Sequence, residues 1–424
     1  MYFEERIAIV DGLRSPFVKS WSTLNGIDPV TLSTHVTREL LFSVGLDIET
    51  VDQIVWGTVV SVPRSPNVAR EVALNLGLYN TPGFTISRAC ASGFQSIASA
   101  AESLWMGHAS IAVAGGVDVT SNAPVPHKKS VIDKLRVLPK ASTGAKISTL
   151  ASLRPSDFFP VPPAISERFT GKTMGEHAED MAKFFGISRS DQELFAIDSH
   201  RKAHQATSEG WIAKQIAPIM NGKNAVDSDN IIRPNMKLEK LQKMRPVFDK
   251  VAGSITAATS SALTDGASAV LLMRESTAKQ LGLKPKGFLK SYAFPALDPR
   301  ENMLLGNVYS APIALERAGL TLQDLDLIEI HEAFAAQVLS NLKCFDDDKF
   351  FQDKLGRDKS LGEVDMDKLN VWGSSLAYGH PFAATGGRMI INLLQSLEHT
   401  DGQYGLATAC AAGGLGAAMI VERA

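Results

Sequence analysis

The order of hydrophobic runs predicts an α/β protein built from two duplicated halves, and three observations carry that expectation. Short β-rich runs alternate with helical patterns. The strand-like runs are nearly continuous in apolar residues, as strands covered on both faces are. A strand–turn–helix–strand pattern also occurs twice, once around Cys90 and again around His380.

In the first half IAIV (7–10), QIVWGTVV (53–60), FTIS (84–87) and SIAVAGG (110–116) read as strands. Residues 28–45 and 92–107 read as helices covering a largely parallel sheet. The pattern breaks near residue 121, and 121–250 is richer in Pro, charge and helical segments. It reads as an insertion, after which GSITAA (253–258) and SAVLLM (268–273) are strands again. In the second half KGFLKSYAF (286–294), LDLIEI (325–330), NVWGS (370–374), YGLATAC (404–410) and GAAMIVE (416–422) are expected strands. Residues 305–319 and 332–345 are expected helices, and the charged stretch 346–368 a surface insertion. The expected organisation is therefore 1–120 plus 251–276 as an N-terminal domain, 121–250 as an inserted loop domain, and 277–424 as a C-terminal domain. The repeat places Cys90 and His380 at equivalent strand-to-helix turns.

Composition narrows the function. The 424 residues are 45% hydrophobic with a formal net charge of −2, and mean hydropathy is +0.01. Such a chain reads as a soluble globule with no global attraction for nucleic acid. The beginning, MYFEERIAIVDG, lacks the basic and apolar regions of an export signal. The three cysteines, Cys90, Cys344 and Cys410, are too sparse for a disulfide framework and suit a cytoplasmic protein.

Four positions carry potential chemistry. Cys90 lies near a helix N-terminus, where unpaired N–H groups favour a thiolate; small neighbours leave room for an acyl group. On these residues alone a buried core cysteine is an equal reading. His380, in Gly-His-Pro, sits where imidazolium is disfavoured and a thiol proton can be accepted; an ordinary turn histidine is the plainer reading. Cys410 precedes Ala411-Ala412-Gly413-Gly414, either a nest of backbone N–H groups for an oxyanion or a tight bend between core strands. His331 follows LDLIEI and can donate to an enolate oxygen; position 335 is Ala, so the His-Glu-x-x-His zinc spacing fails and no metal is expected. His200 and His204 read as a solvated helix face.

Taken together, SRACASGFQS, HEAFAAQ, GHPFAATGGR and CAAGGLG resemble the motifs of thiolases in order and spacing, as does GSITAATSSALTDGASAV. The resemblance covers essentially the whole chain. His331 in place of Asn, and Ala412 in the Cys-x-Gly-Gly-Gly position, resemble the thiolase subunit of trifunctional fatty-acid oxidation complexes, specifically the bacterial anaerobic type. The segment PVPPAISERFTGKTMGEHAEDMAK is similar to that subtype too.

The resemblance implies a layered α-β-α-β-α core and CoA-dependent cleavage of 3-ketoacyl-CoA, the last step of fatty-acid β-oxidation. Cys90 would carry the acyl thioester, His380 act as base and oxyanion donor, Cys410 move the carbanion proton, and His331 hold the enolate oxygen. The amides of Cys90 and Ala412 would form a second oxyanion site, with Ser261 and Met174 contacting CoA. CoA would be a substrate, with no permanently bound cofactor. A homodimer joined to two hydratase/dehydrogenase chains would follow.

Residues 127–154 carry Lys128, Lys129, Lys134, Arg136, Lys140, Lys146 and Arg154 against Asp133, interleaved with apolar residues. They read as a docking surface for a partner subunit, an acyl chain or an anionic membrane, or else as a solvated loop. The rival functions are a biosynthetic thiolase or ketoacyl-synthase-like condensing enzyme, a cysteine hydrolase, and a non-catalytic acyl-CoA carrier. The second cysteine in its glycine setting argues against a synthase.

Overall fold

Nearly continuous apolar runs supply the strands of a computed structural model that describes residues 5–125, 127–154, 157, 159 and 166–424. In chain order they are β1 (Ile7–Arg14), β2 (Val18–Lys19), β3 (Gln53–Gly57), β4 (Gly83–Ile86), β5 (Ile111–Val119), β6 (Ile219–Asn221), β7 (Asn224–Val226), β8 (Thr264–Arg274), β9 (Gly287–Ala293), β10 (Leu327–Ile330), β11 (Tyr404–Ala411) and β12 (Leu415–Arg423). All but the β6–β7 hairpin join one sheet in the order β10-β11-β12-β9-β1-β8-β5-β3-β4, with β2 on β8.

The layers follow from which side chains each strand face buries. On β1, Ile7 and Ile9 enter a different core from Ala8 and Val10. On β12, Ala417, Met419 and Val421 face away from Ala418 and Ile420 in the same manner. Helices Pro29–Ser43 and Val68–Asn75 cover the outer face of the first half, through Leu32, Val36, Leu40 and Val72. Helices Gly306–Ala318 and Ala335–Phe345 cover the outer face of the second. Helices Ser92–Trp105 and Ala383–Thr400 fill the middle, through Phe94, Ile97, Met389, Ile390 and Leu393. The result is the expected α-β-α-β-α sandwich, with its two sheet halves joined edge to edge where β1 pairs with β9.

Several expectations need correction. The sheet is mixed, not largely parallel. β3 is parallel to β4 and β5, and β10 to β11, while β5–β8, β8–β1, β1–β9, β9–β12 and β12–β11 are antiparallel. The parallel pairs are the ones bridged by a covering helix, and the strands beyond them run the other way.

GSITAA is not a strand, because the Glu179 carboxylate accepts from the amides of Ser254 and Ile255 in place of a neighbouring strand. NVWGS is also a turn. Only Leu369 bridges to β10, and Asn370 then turns to φ 46. Its side-chain amide substitutes for the lost strand, accepting from Ile330 N and donating to Ile330 O. The helix expected from 332 begins at Ala335. The stretch 346–368 is more than surface, since Phe351 and Val364 are buried in the outer core.

The region after β5 contains helices Lys129–Val137, Thr143–Ala151, Met174–Phe184 and Arg189–Ser208. A buried Arg14–Asp229 pair, 2.7 Å apart, ties it to the end of β1. Part of the PVPPAISERFTGKTMGEHAEDMAK segment, residues 160–165, lies outside the described residues. Among the described residues no helix is long and apolar enough to cross a membrane.

Glycines let the middle layer close. A Cβ on Gly116 would stand 2.1 Å from the Ala383 carbonyl oxygen, and one on Gly93 2.5 Å from the same atom. That carbonyl is thus wedged between β5 and helix Ser92–Trp105. Gly116→Ala is expected to lower stability in chemical denaturation by about 1–3 kcal/mol through overpacking. Gly144→Ala, within helix Thr143–Ala151 and with nothing within 4 Å of its Cβ, is the control and should not lower stability.

Candidate active site

Two strand-to-helix turns meet above the wedge. After β4 the chain reaches Ala89, held at φ 45, then Cys90, and enters its helix at Ser92. Ser92 closes the turn, its hydroxyl donating to Ala89 O at 2.7 Å and accepting from Arg88 N at 2.8 Å. Left-handed backbone at an alanine is strained, and such strain persists only where the surroundings enforce it.

The second turn runs through Gly379 at φ 87, His380, Pro381 and Phe382 at φ 28 before helix Ala383–Thr400 begins. A Cβ on Gly379 would lie 2.2 Å from Thr264, so only glycine fits. The His380 amide donates to Ala262 O at 3.0 Å. The Asp118 carboxylate accepts from Ala383 N at 2.8 Å and from Val59 and Val60 N at 3.0 and 2.6 Å. Burial still pushes the Asp118 carboxyl up to about 7.

Strands bring the other two groups. His331 extends β10, its amide donating to Thr408 O at 2.9 Å. Cys410 lies in β11, just before a turn in which Gly413 and Gly414 have φ 84 and 67. The Glu332 carboxylate steadies this side, accepting from Ser199 Oγ, Leu376 N and Asn370 Nδ2 at 2.7, 3.0 and 2.7 Å.

The sequence-predicted quartet therefore converges. Potential ligand atoms of Cys90, His331 and His380 lie within 4.8 Å of one another. The imidazole centroids are 4.2 Å apart. The amides of Ala412 and Cys90 itself both address the Cys90 sulfur, and Cys410 is close enough to feel the Cys90 charge. The nest and the tight bend foreseen at 410–414 are thus the same structure. Each imidazole is anchored through Nδ1, His331 to Ser375 Oγ at 2.8 Å and His380 to Thr385 Oγ1 at 2.7 Å. Each Nε2 is buried with no protein partner. Among the described residues this trio is also the one grouping with metal-ligand convergence, a thiol and two imidazoles suited to a soft cation.

Burial decides the charge states. It pushes the Cys90 thiol up to about 11, partly opposed by the two amides. The expected thiolate at a helix N-terminus is therefore not the resting state, because desolvation outweighs the partial charge of the helix end. His380 is lowered to about 3, by burial first and then by Arg388, and His331 is held well below its usual value. Cys410 is raised. The resting site is a set of neutral acids and bases, able to pass a proton from sulfur to imidazole only as a substrate arrives.

Ser261 sits beside this centre, its amide donating to Ala333 O at 2.9 Å, two residues from His331. Met174 opens helix Met174–Phe184, half-buried against the outer core. His200 is not solvated, in contrast to His204. It is buried, its Nδ1 accepts from Arg233 N at 3.1 Å, and desolvation lowers it to about 4.

Sequence reasoning missed Asp118, Glu329, Asn370, Ser375, Thr385 and Arg388, which hold the site together. Arg388 had a readable signal, a lone charge within the apolar run GGRMIINLL. Ser375 and Thr385 had none.

Comparison with known proteins gives the same reading. Residues 7–276 match the model "Thiolase, N-terminal domain" and residues 283–423 match "Thiolase, C-terminal domain". The chain is 51% identical to a 3-ketoacyl-CoA thiolase of Pseudoalteromonas atlantica, covering 99% of this chain and 97% of that one. It is 50% identical to one of Colwellia psychrerythraea with the same coverage. Among solved structures it resembles a Bacillus anthracis acetyl-CoA acetyltransferase with TM-score 0.85 and 30% identity, covering 99% of each chain. Human mitochondrial 3-ketoacyl-CoA thiolase in complex with CoA matches with TM-score 0.83 and 29% identity, over 99% of this chain and 98% of that one.

The raised thiol of the part-exposed Cys90 predicts its reactivity. Inactivation of the free protein by iodoacetamide should rise about tenfold per pH unit without levelling below pH 9, as a thiol of raised pKa does. A plateau near neutral pH would reveal a resting thiolate–imidazolium pair instead.

Proposed function

The chain belongs to the thiolase family, acyltransferases that cleave 3-ketoacyl-CoA in fatty-acid β-oxidation, and on that premise we propose the following roles for its residues. Cys90 attacks the 3-keto carbon while His380 Nε2 takes its proton. The C2–C3 bond breaks, leaving the acyl group on sulfur and an acetyl-CoA enolate. His331 and His380 stabilise the enolate oxygen, and Cys410 protonates its carbon. CoA then gives its thiol proton to the site and attacks the thioester, releasing an acyl-CoA shortened by two carbons. During this second half the amides of Cys90 and Ala412 receive the oxyanion.

The single observation that carries this reading is convergence. A thiol, two neutral imidazoles whose Nε2 atoms have no partner among the described residues, a second thiol and two amides come together from two strand-to-helix turns and two strands. A synthase needs no second thiol, and a carrier needs none of the set. CoA is the shared substrate, as the CoA complex of the human relative supports; the scheme calls on no further cofactor. Ser261, beside His331, and Met174 are proposed CoA contacts.

The proposed assembly is a homodimer joined to two chains bearing hydratase and dehydrogenase activities. Among the described residues β4 ends the sheet with an unpaired edge and a half-exposed Phe84, which supports pairing with a second copy. Helices Lys129–Val137 and Thr143–Ala151 bury only Val131 and expose Ile132, Leu135, Val137, Ile147 and Leu150. This supports docking by 127–154 onto a partner subunit, an acyl chain or an anionic membrane face. Free thiols at Cys90, Cys344 and Cys410 fit a cytoplasmic location.

Incubation with 3-ketoacyl-CoAs of graded length should release acetyl-CoA only when CoA is present, and Cys90→Ala should lose about a thousandfold or more in rate. Cleavage without CoA would indicate a hydrolase, and full activity of the variant would remove Cys90 from the chemistry. Deletion of 127–154 should reduce liposome binding or co-purification with the partner chain. No change in either would show the segment to be a solvated loop.

A further inference from the structure

The two imidazoles of the site share burial and an Nε2 without a partner among the described residues, yet thiolytic chemistry asks opposite things of them. One must accept the Cys90 proton through a lone pair. The other must offer N–H to an enolate oxygen. An imidazole is fixed in one tautomer by the partner of its other nitrogen, and the two partners here differ.

His331 Nδ1 meets Ser375 Oγ at 2.8 Å. The same oxygen lies 2.9 Å from Arg388 Nη2. A guanidinium has donors only, so Ser375 Oγ accepts from it. Arg388 cannot turn away. Its side chain is fully buried, its Nη1 pairs with the buried Glu329 carboxylate, and Nη2 also reaches Ser374 Oγ at 3.2 Å. Ser374 is itself committed, donating to Glu329 Oε1 at 3.3 Å. The Ser375 hydroxyl proton then has one acceptor left, His331 Nδ1.

We propose that Arg388 and Ser375 are positioning residues that lock His331 in the Nε2–H tautomer and so make it the hydrogen-bond donor to the enolate. His380 is left to the opposite role. Its Nδ1 partner, Thr385 Oγ1, has no guanidinium hydrogen bond among the described residues, so its oxygen is left able to accept from Nδ1–H. In that tautomer His380 Nε2 keeps the lone pair that takes the thiol proton. The Arg388–Ser375–His331 chain separates acid from base between two side chains whose rings are 4.2 Å apart. This deepens the reading of His331 given above and rests on it.

The test isolates the enolate step from the thiol step. Enolisation is followed as deuterium exchange into the methyl group of acetyl-CoA in heavy water, and thiol access as alkylation of Cys90 by iodoacetamide. Ser375→Ala should slow exchange by about tenfold or more, as loss of an aligned oxyanion donor does, and leave alkylation at the wild-type rate. Unchanged exchange, or an equal fall in both rates, overturns the proposal. His331→Ala is the comparator. If it also exchanges normally, the donor role of His331 fails; if it slows exchange and Ser375→Ala does not, the relay alone fails. The unmutated protein gives an independent reading through long-range ¹H–¹⁵N correlation with ¹⁵N-labelled histidine. His331 protonated at Nε2 supports the relay, and protonation at Nδ1 overturns it.

Discussion

The contact on which the site depends is a backbone carbonyl held between two glycines. Ala383 O reaches so close to Gly93 and Gly116 that no side chain fits at either position. This sets helix Ala383–Thr400 against both helix Ser92–Trp105 and β5 at backbone distance. Cys90 and His380 precede those two helices by a few residues each, so the wedge determines how near sulfur and imidazole come. Asp118 reinforces it from β5 by capping the same helix start at Ala383 N. A packing constraint in the middle layer thereby becomes a distance in the active site.

That distance operates in a dry place. Helix Ala383–Thr400 is buried almost all round, as a helix between two sheets must be. Charge near it is therefore expensive, and the groups respond by staying neutral: the thiols rise and the imidazoles fall. Preorganised donors act most strongly where water is absent. The Cys90 and Ala412 amides are already turned toward the sulfur before any acyl group arrives. Burial pushes the Glu329 carboxyl up to about 7 as well, opposed first by the Arg388 guanidinium beside it. The two are buried together, each compensating the other, since a lone charge in their place would cost several kcal/mol.

Most of the layer structure was legible because nearly continuous apolar runs report directly on burial of both strand faces. β1, β5, β9, β11 and β12 begin and end within a few residues of their expected positions. The two lost strands show where that signal fails. GSITAA is apolar enough to be a strand, but the Glu179 carboxylate reaches its amides from a helix roughly seventy-five positions away. At NVWGS, Asn370 replaces a backbone neighbour with its own side chain. Both are tertiary hydrogen bonds, invisible to a local pattern. The converging quartet of Cys90, His331, His380 and Cys410 was legible for a different reason. Cysteine and histidine are rare, and their glycine and proline surroundings mark turns. Ser375 and Thr385 were not, because a serine or threonine shows its meaning only when its neighbour in space is known.

Those two hydroxyls also explain how a duplicated architecture escapes functional symmetry. The repeat supplies two similar strand-to-helix turns, and by itself would favour two similar roles. The sequence places a thiol at one turn and an imidazole at the other, then brings a second imidazole in on β10. Equal burial would give both imidazoles the same character. What differs is the atom behind each: a hydroxyl bound to a buried guanidinium behind His331, and a hydroxyl free of one behind His380. Reaction chemistry needs a donor and an acceptor side by side, and proton accounting one bond removed from the substrate is sufficient to provide both.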